Sequence, residues 1–141
     1  MKRYVLDTSA LFAYIENEEG VELLESLFEQ AINEKIGLYI SEVTCIEVYY
    51  ISLSEQGDQI ANERLKLIDD MLLIREPLDS KLTKVIGRIK ANNAMSFADC
   101  CIAGLAKLKK AVLIHKDPEF EQIEKEIKQL KLPYKQKARV R

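Results

Sequence analysis

Short runs of β-branched and aliphatic residues alternate with longer amphipathic stretches along this chain, and that alternation narrows the accessible folds more than any other feature. RYVLD lies near the N-terminus, GLYIS within the first third and AVLIH late in the sequence. Between the first two, Leu23, Leu24, Leu27, Phe28 and Ala31 recur at spacings of three and four, the stripe of a helix from Val21 to about Asn33. Strands separated by helices run parallel through right-handed crossovers, so their C-terminal ends open on one edge of the sheet, where α/β proteins place ligands.

The remaining segments fit the same scheme. A helix is expected near residues 10–16, and another from Glu42 to about Ser54 with Ser41 as its N-cap. Gly57-Asp58 breaks the chain before a helix carrying Ile60, Leu65, Ile68 and Leu72, and MLLIREPL forms a short third strand ending at Glu76-Pro77. Asp79 or Ser80 caps a helix to about Lys90. After the turn at Asn92 and Asn93, Ser96-Phe97-Ala98-Asp99 matches a capping box opening the next helix. A helix is expected to start at Pro118, and Leu132-Pro133 begins a basic tail after a last short strand.

With 141 residues the chain is the size of one domain, and it buries roughly 68–70% of its unfolded surface without needing a staple. No apolar run approaches the ~20 residues that cross a bilayer, and MKRYVLD reaches an acid before any signal-type apolar core, so the expected location is the cytoplasm. Cys45, Cys100 and Cys101 make no CxxC pair and read as small buried hydrophobes. One histidine, His115, is too few for a multi-histidine metal site, and there is no G-x-S-x-G elbow for a serine hydrolase. The net charge of −2 is uneven: six cations and no acid fall in residues 127–141, leaving −8 on the rest. Such a tail suits a polyanion, with Tyr134 available to stack on a base, although a solvated terminus has the same composition.

Four acids each follow or open an apolar segment: Asp7 in YVLDTS, Glu47 in SEVTCIEV, Asp99 in SFADCCIAG and Asp117 in HKDPEF. Carboxylates held close raise one another's pKa, so gathering them requires a neutralising cation. Hard ions such as Mg²⁺ or Mn²⁺ prefer oxygen ligands and leave room for substrate phosphate, whereas zinc would want the His and Cys missing here. Each acid also has a simpler reading. Asp7 can form a turn, Glu47 and Asp99 can be helix-end acids, Asp99 can complete a capping box, and Asp117 can cap the helix at Pro118. Glu42 competes with Glu47 if the helix is rotated.

Taken together, YVLDTSAL, SEVTCIEV, SFADCCIAGLA and HKDPEF resemble the four acidic motifs of the PIN-domain family, in order and across nearly the whole chain. The resemblance implies a three-layer α/β/α sandwich around a parallel sheet, in a single domain spanning residues 1–141 with a basic tail at about 133–141. It also implies a Mg²⁺- or Mn²⁺-dependent endoribonuclease acting on single-stranded RNA. Many short members are VapC-type toxins silenced by an antitoxin protein. By position, Asp7, Glu47, Asp99 and Asp117 become the catalytic metal-binding acids, and Ser9 the small hydroxyl residue after the first. His115 replaces the Thr or Ser often found before the last acid and is expected to be structural, and Lys116 beside it is expected to be solvated.

Other classes fit less well. A haloacid-dehalogenase reading of LDTS fails because Ser9 stands where a second Asp is needed, and no Gly-rich loop supports nucleotide binding. The alternatives left are a catalytically silent PIN-like module that binds RNA or protein, and an RNA-processing nuclease outside a toxin–antitoxin system. Val48, Tyr49, Tyr50, Ile51, Ile60, Leu65, Ile68, Met71 and Leu72 give the middle helices more apolar surface than one core face uses, so a homodimer is expected.

Overall fold

The computed structural model describes residues 1–135. Five strands form one parallel sheet: β1 (Lys2–Leu6), β2 (Ile36–Ser41), β3 (Ile74–Glu76), β4 (Val112–His115) and β5 (Gln129–Lys131), in the order β3-β2-β1-β4-β5. The crossovers carry α1 (Thr8–Ile15), α2 (Val21–Ile32), α3 (Glu42–Gln56), α4 (Asp58–Asp70), α5 (Thr83–Asn92) and α6 (Phe97–Lys109). The chain winds from β1 outward to β3, then returns past β1 to lay down β4 and β5. The direction of winding therefore reverses between β1 and β4, the place where open parallel sheets leave a crevice.

Alternation along the strands explains the three layers. Tyr4 and Leu6 of β1, with Leu38 and Ile40 of β2 and Ile114 of β4, pack toward α1, α2, α3 and α4. Val5 and Leu113 point the other way, into a core shared with α5, α6 and Phe120. With both faces covered, the central strands are apolar where they are buried, at Tyr4-Val5-Leu6 of β1 and Leu113-Ile114 of β4. Gly104 lets α5 and α6 approach: a Cβ there would sit 2.6 Å from Ile86 Cγ1. Cys45, Cys100 and Cys101 are free and buried in these cores, as their sequence context suggests.

Several local expectations shift. The first helix begins at Thr8, because Asp7 caps it and leaves no loop after β1. Asp79 caps a 3-10 turn, Ser80–Leu82, that precedes α5. Pro118 also opens only a 3-10 turn, Pro118–Ile123, with Asp117 as its cap. Among the middle-helix residues, Val48 and Ile68 are consumed by the core, while Tyr50 and Leu72 remain exposed. No helix among the described residues is long and apolar enough to cross a membrane. Of the basic tail, Pro133, Tyr134 and Lys135 are seen, and residues 136–141 lie outside the described part.

Candidate active site

The β1–β4 crevice is built from strand ends. Asp7 leaves β1 in an extended conformation, and its backbone N–H donates to Ile114 O at 2.9 Å, continuing the sheet by one bond. Its Oδ2 accepts the Ser9 N–H at 3.0 Å and the Ser9 hydroxyl. The Ser9 oxygen in turn accepts the Lys116 N–H at 2.9 Å, which stitches the β1 and β4 exits together. Asp7 Oδ1 is buried and has no hydrogen-bond partner among the described residues. Burial pushes the Asp7 carboxyl up to about 6, against the lowering effect of Ser9 and with the help of the Glu47 and Asp117 charges.

Glu47 lies in the second turn of α3, which starts at Ser41 because the Ser41 hydroxyl accepts the Val43 N–H. Thr8 donates to Glu47 Oε1 at 2.7 Å, so the residue after Asp7 fixes the second acid. Glu42 does not compete. It is held by Arg75 through two bonds of 2.6 and 2.7 Å, and that guanidinium keeps its carboxyl below the ordinary value.

Only half of the expected capping box forms at α6. Ser96 Oγ accepts the Asp99 N–H at 3.2 Å, but the reciprocal Ser96 N–H donates to Glu119 rather than to Asp99. The Asp99 carboxyl is thereby released from helix capping. It joins Asp117 and Glu119, with carboxylate oxygens of all three within 4.8 Å of one another. Burial raises the Asp99 pKa strongly; a hydrogen bond with Glu119 and the charges of Asp7 and Asp117 add to the rise. Asp117 Oδ1 accepts the Glu119 N–H at 2.9 Å, so one short turn delivers both acids.

The structure thus groups Asp99 and Asp117 directly, sets Asp7 within their electrostatic reach, and ties Glu47 in through Thr8. The sequence reading missed Glu119; the signal was its place two residues after Asp117 across a Pro-initiated turn. Both ring nitrogens of His115 are engaged within the fold. Its Nδ1 accepts the Asp117 N–H at 3.1 Å, and Nε2 therefore carries the proton donated to Gln129 Oε1 at 2.8 Å. Burial lowers its pKa and keeps the ring neutral. Lys116 departs from expectation. It is buried, and its Nζ pairs with Glu18 at 3.3 Å and donates to Glu19 O, because the bend after β4 turns it away from solvent. Tyr134 stacks on His115 and donates to Glu121 at 2.6 Å, so its ring belongs to the wall of the site.

Carboxylates buried together with raised pKa values and one unpartnered oxygen fit a hard divalent cation, since each observation is a deficit of positive charge. A cleft of about 460 Å³ opens beside Ser9, with Phe12, Ile51, Pro118 and Tyr134 as its apolar walls.

The profile of the PIN domain family matches residues 4–126. No curated protein matches the chain. Among solved structures, a chain of the VapBC2 complex of Rickettsia felis bound to promoter DNA superposes with TM-score 0.76 at 17% identity, covering 93% of this chain and 99% of that one. A chain of DNA-bound VapBC from Salmonella typhimurium gives 0.71 at 22%, covering 93% and 98%. VapC20 of Mycobacterium tuberculosis, described as a toxin that cleaves the sarcin–ricin loop, gives 0.65 at 12%, covering 84% and 93%. At these identities the structural likeness speaks for the fold.

Proposed function

Because the chain belongs to the PIN-domain family, we propose that it is a divalent-metal-dependent endoribonuclease that hydrolyses phosphodiester bonds of single-stranded RNA, and that it is the toxin of a VapBC-type pair. The observation that carries the chemistry is the gathering of Asp99, Asp117 and Glu119 beside an Asp7 whose Oδ1 has no partner. The expected ligands are Asp7, Glu47, Asp99 and Asp117, now with Glu119, and the expected ion is Mg²⁺ or Mn²⁺. When bound, such an ion supplies Lewis-acid activation of water and neutralises charge at the scissile phosphate.

The protein's part is preparation. Ser9 occupies one oxygen of Asp7 and leaves the other as a donor atom, while Thr8 holds one oxygen of Glu47. His115 fixes the Asp117 backbone, and Ser96 fixes Glu119. Without an ion, burial makes Asp99 hold its proton more tightly than a free carboxyl does, so ion binding and proton loss are coupled there. A 5′-phosphate and a 3′-hydroxyl are the expected products, since the 2′-hydroxyl takes no part.

An antitoxin is the proposed protein partner; the similar structures from R. felis and S. typhimurium are complexes of that kind. A homodimer and a cytoplasmic location complete the reading. Purified protein should cut single-stranded RNA in Mg²⁺ or Mn²⁺ and stop on chelation, and Asp99→Asn should lose cleavage with its circular dichroism unchanged. Protein that binds RNA yet never cuts it would make this a silent binding module instead.

A further inference from the structure

Residues 80–98 contain Lys81, Lys84, Arg88 and Lys90 and no acid, although the body outside the basic C-terminal stretch carries −8. Lys81, Lys84 and Arg88 recur at spacings of three and four across the 3-10 turn and α5, and all three are exposed. None of the three forms an ion pair among the described residues, whereas Lys116, Lys131 and Lys135 near the acidic site are each matched by a glutamate.

Beside this row lies a cleft of about 690 Å³ between the 3-10 turn, α5 and the start of α6. Its floor is apolar, and one carboxylate, Asp79, stands among its lining residues, engaged in capping Lys81 N. Phe97, 62% exposed, forms one wall and sits two residues before Asp99 on the first turn of α6. Lys90, also in the lining, donates to Met95 O at 2.7 Å and braces that wall. Gly87 belongs to the lining in mid-helix, and a Cβ there would meet nothing within 4 Å. Glycine is the poorest helix former apart from proline, and no internal packing requires it here. A surface kept bare at that point suits close approach from outside.

We propose that this cleft is the track for the single strand entering the acidic site: Lys81, Lys84 and Arg88 hold successive phosphates, Gly87 admits the strand close to α5, and Phe97 stacks the base next to the scissile bond. Cations along one flank with an exposed aromatic at the catalytic end is the layout by which proteins bind single strands without reading sequence. Self-association through the same face is disfavoured, because a two-fold contact would oppose this row to its own copy. The assignment rests on the nuclease reading above and specifies how its substrate is held.

The test uses the full chain, a fluorescein-labelled single-stranded RNA of mixed sequence, and chelator to prevent cleavage. Anisotropy should show that Lys81→Gln/Lys84→Gln/Arg88→Gln weakens binding and makes the slope of log K against log salt shallower by about 2. Phe97→Ala should weaken binding roughly tenfold with the slope unchanged. Gly87→Leu, a better helix former, should keep the fold and also lose affinity. Wild-type affinity and slope in all three would overturn the track, and if the wild-type protein still cleaves RNA with metal, the nuclease reading survives that loss. Weakened binding in the variants of a protein that never cuts would keep the track and remove the nuclease. A change of mass in Phe97→Ala by light scattering, with RNA affinity intact, would assign the face to self-association and end the proposal.

Discussion

Asp7→Asn should make the metal-free protein more stable relative to wild type as pH rises, because the native carboxylate is ionised where the fold resists it. Its pKa rises from 3.8 to about 6, chiefly through burial. At ~1.36 kcal/mol per unit, that places roughly 3 kcal/mol on the ionised form in the folded state. The folded protein holds this proton more tightly than the unfolded chain does. The penalty is therefore absent below the unfolded value of 3.8 and is fully developed once pH passes the folded value of about 6. Asparagine never ionises. It can keep the bonds from Ser9, and its amide nitrogen takes the unpartnered Oδ1 position, an orphaned group costing about 1–3 kcal/mol. That cost is the same at every pH, so comparing two pH values isolates the ionisation. Urea denaturation in chelator should show the variant gaining about 2–3 kcal/mol on wild type between about pH 4 and about pH 7.5. Saturating Mn²⁺ should restore the wild-type advantage at the higher pH, by about 2.7 kcal/mol at a hundredfold excess over Kd. An Asp7→Asn stability difference equal at both pH values would refute the reasoning.

Glu47→Gln should abolish metal-dependent cleavage while Glu42→Gln leaves it intact, with the second losing at most about 1 kcal/mol because its pair with Arg75 is exposed; a cleavage assay beside urea melts checks both. Gly104→Ala should destabilise the fold by about 1–3 kcal/mol, since the new Cβ lies 2.6 Å from Ile86 Cγ1 near a branch point that cannot swing away; an unchanged melting temperature would contradict this packing. The exposed Tyr50 and Leu72 on and beside the middle helices should lie in a homodimer contact, giving twice the chain mass by light scattering at micromolar concentration, and a monomer there would remove that part of the reading.

The periodicities made most of the architecture legible, since strand and helix periods differ and each change of period marked a crossover. What failed did so for local reasons. The 3-10 turns after Asp79 and Asp117 carry the same caps as an α-helix, so cap residues alone cannot give helix type or length. Lys116 looked like a solvated turn residue because its partner Glu18 is distant in sequence. The four motif acids were visible because each ends or opens an apolar run. Glu119 was not, because its approach to Asp99 depends on Ser96 choosing a partner across the crevice.

Binding of the ion itself is tested by room-temperature Mn²⁺ electron paramagnetic resonance, which reads the free ion in solution. Adding protein near neutral pH should deplete the free-Mn²⁺ signal in wild type and leave it nearly undiminished in Asp7→Asn/Asp99→Asn, whose retained circular dichroism shows the fold. Equal depletion by both proteins, or none by either, would contradict the assembly of a cation site from these acids.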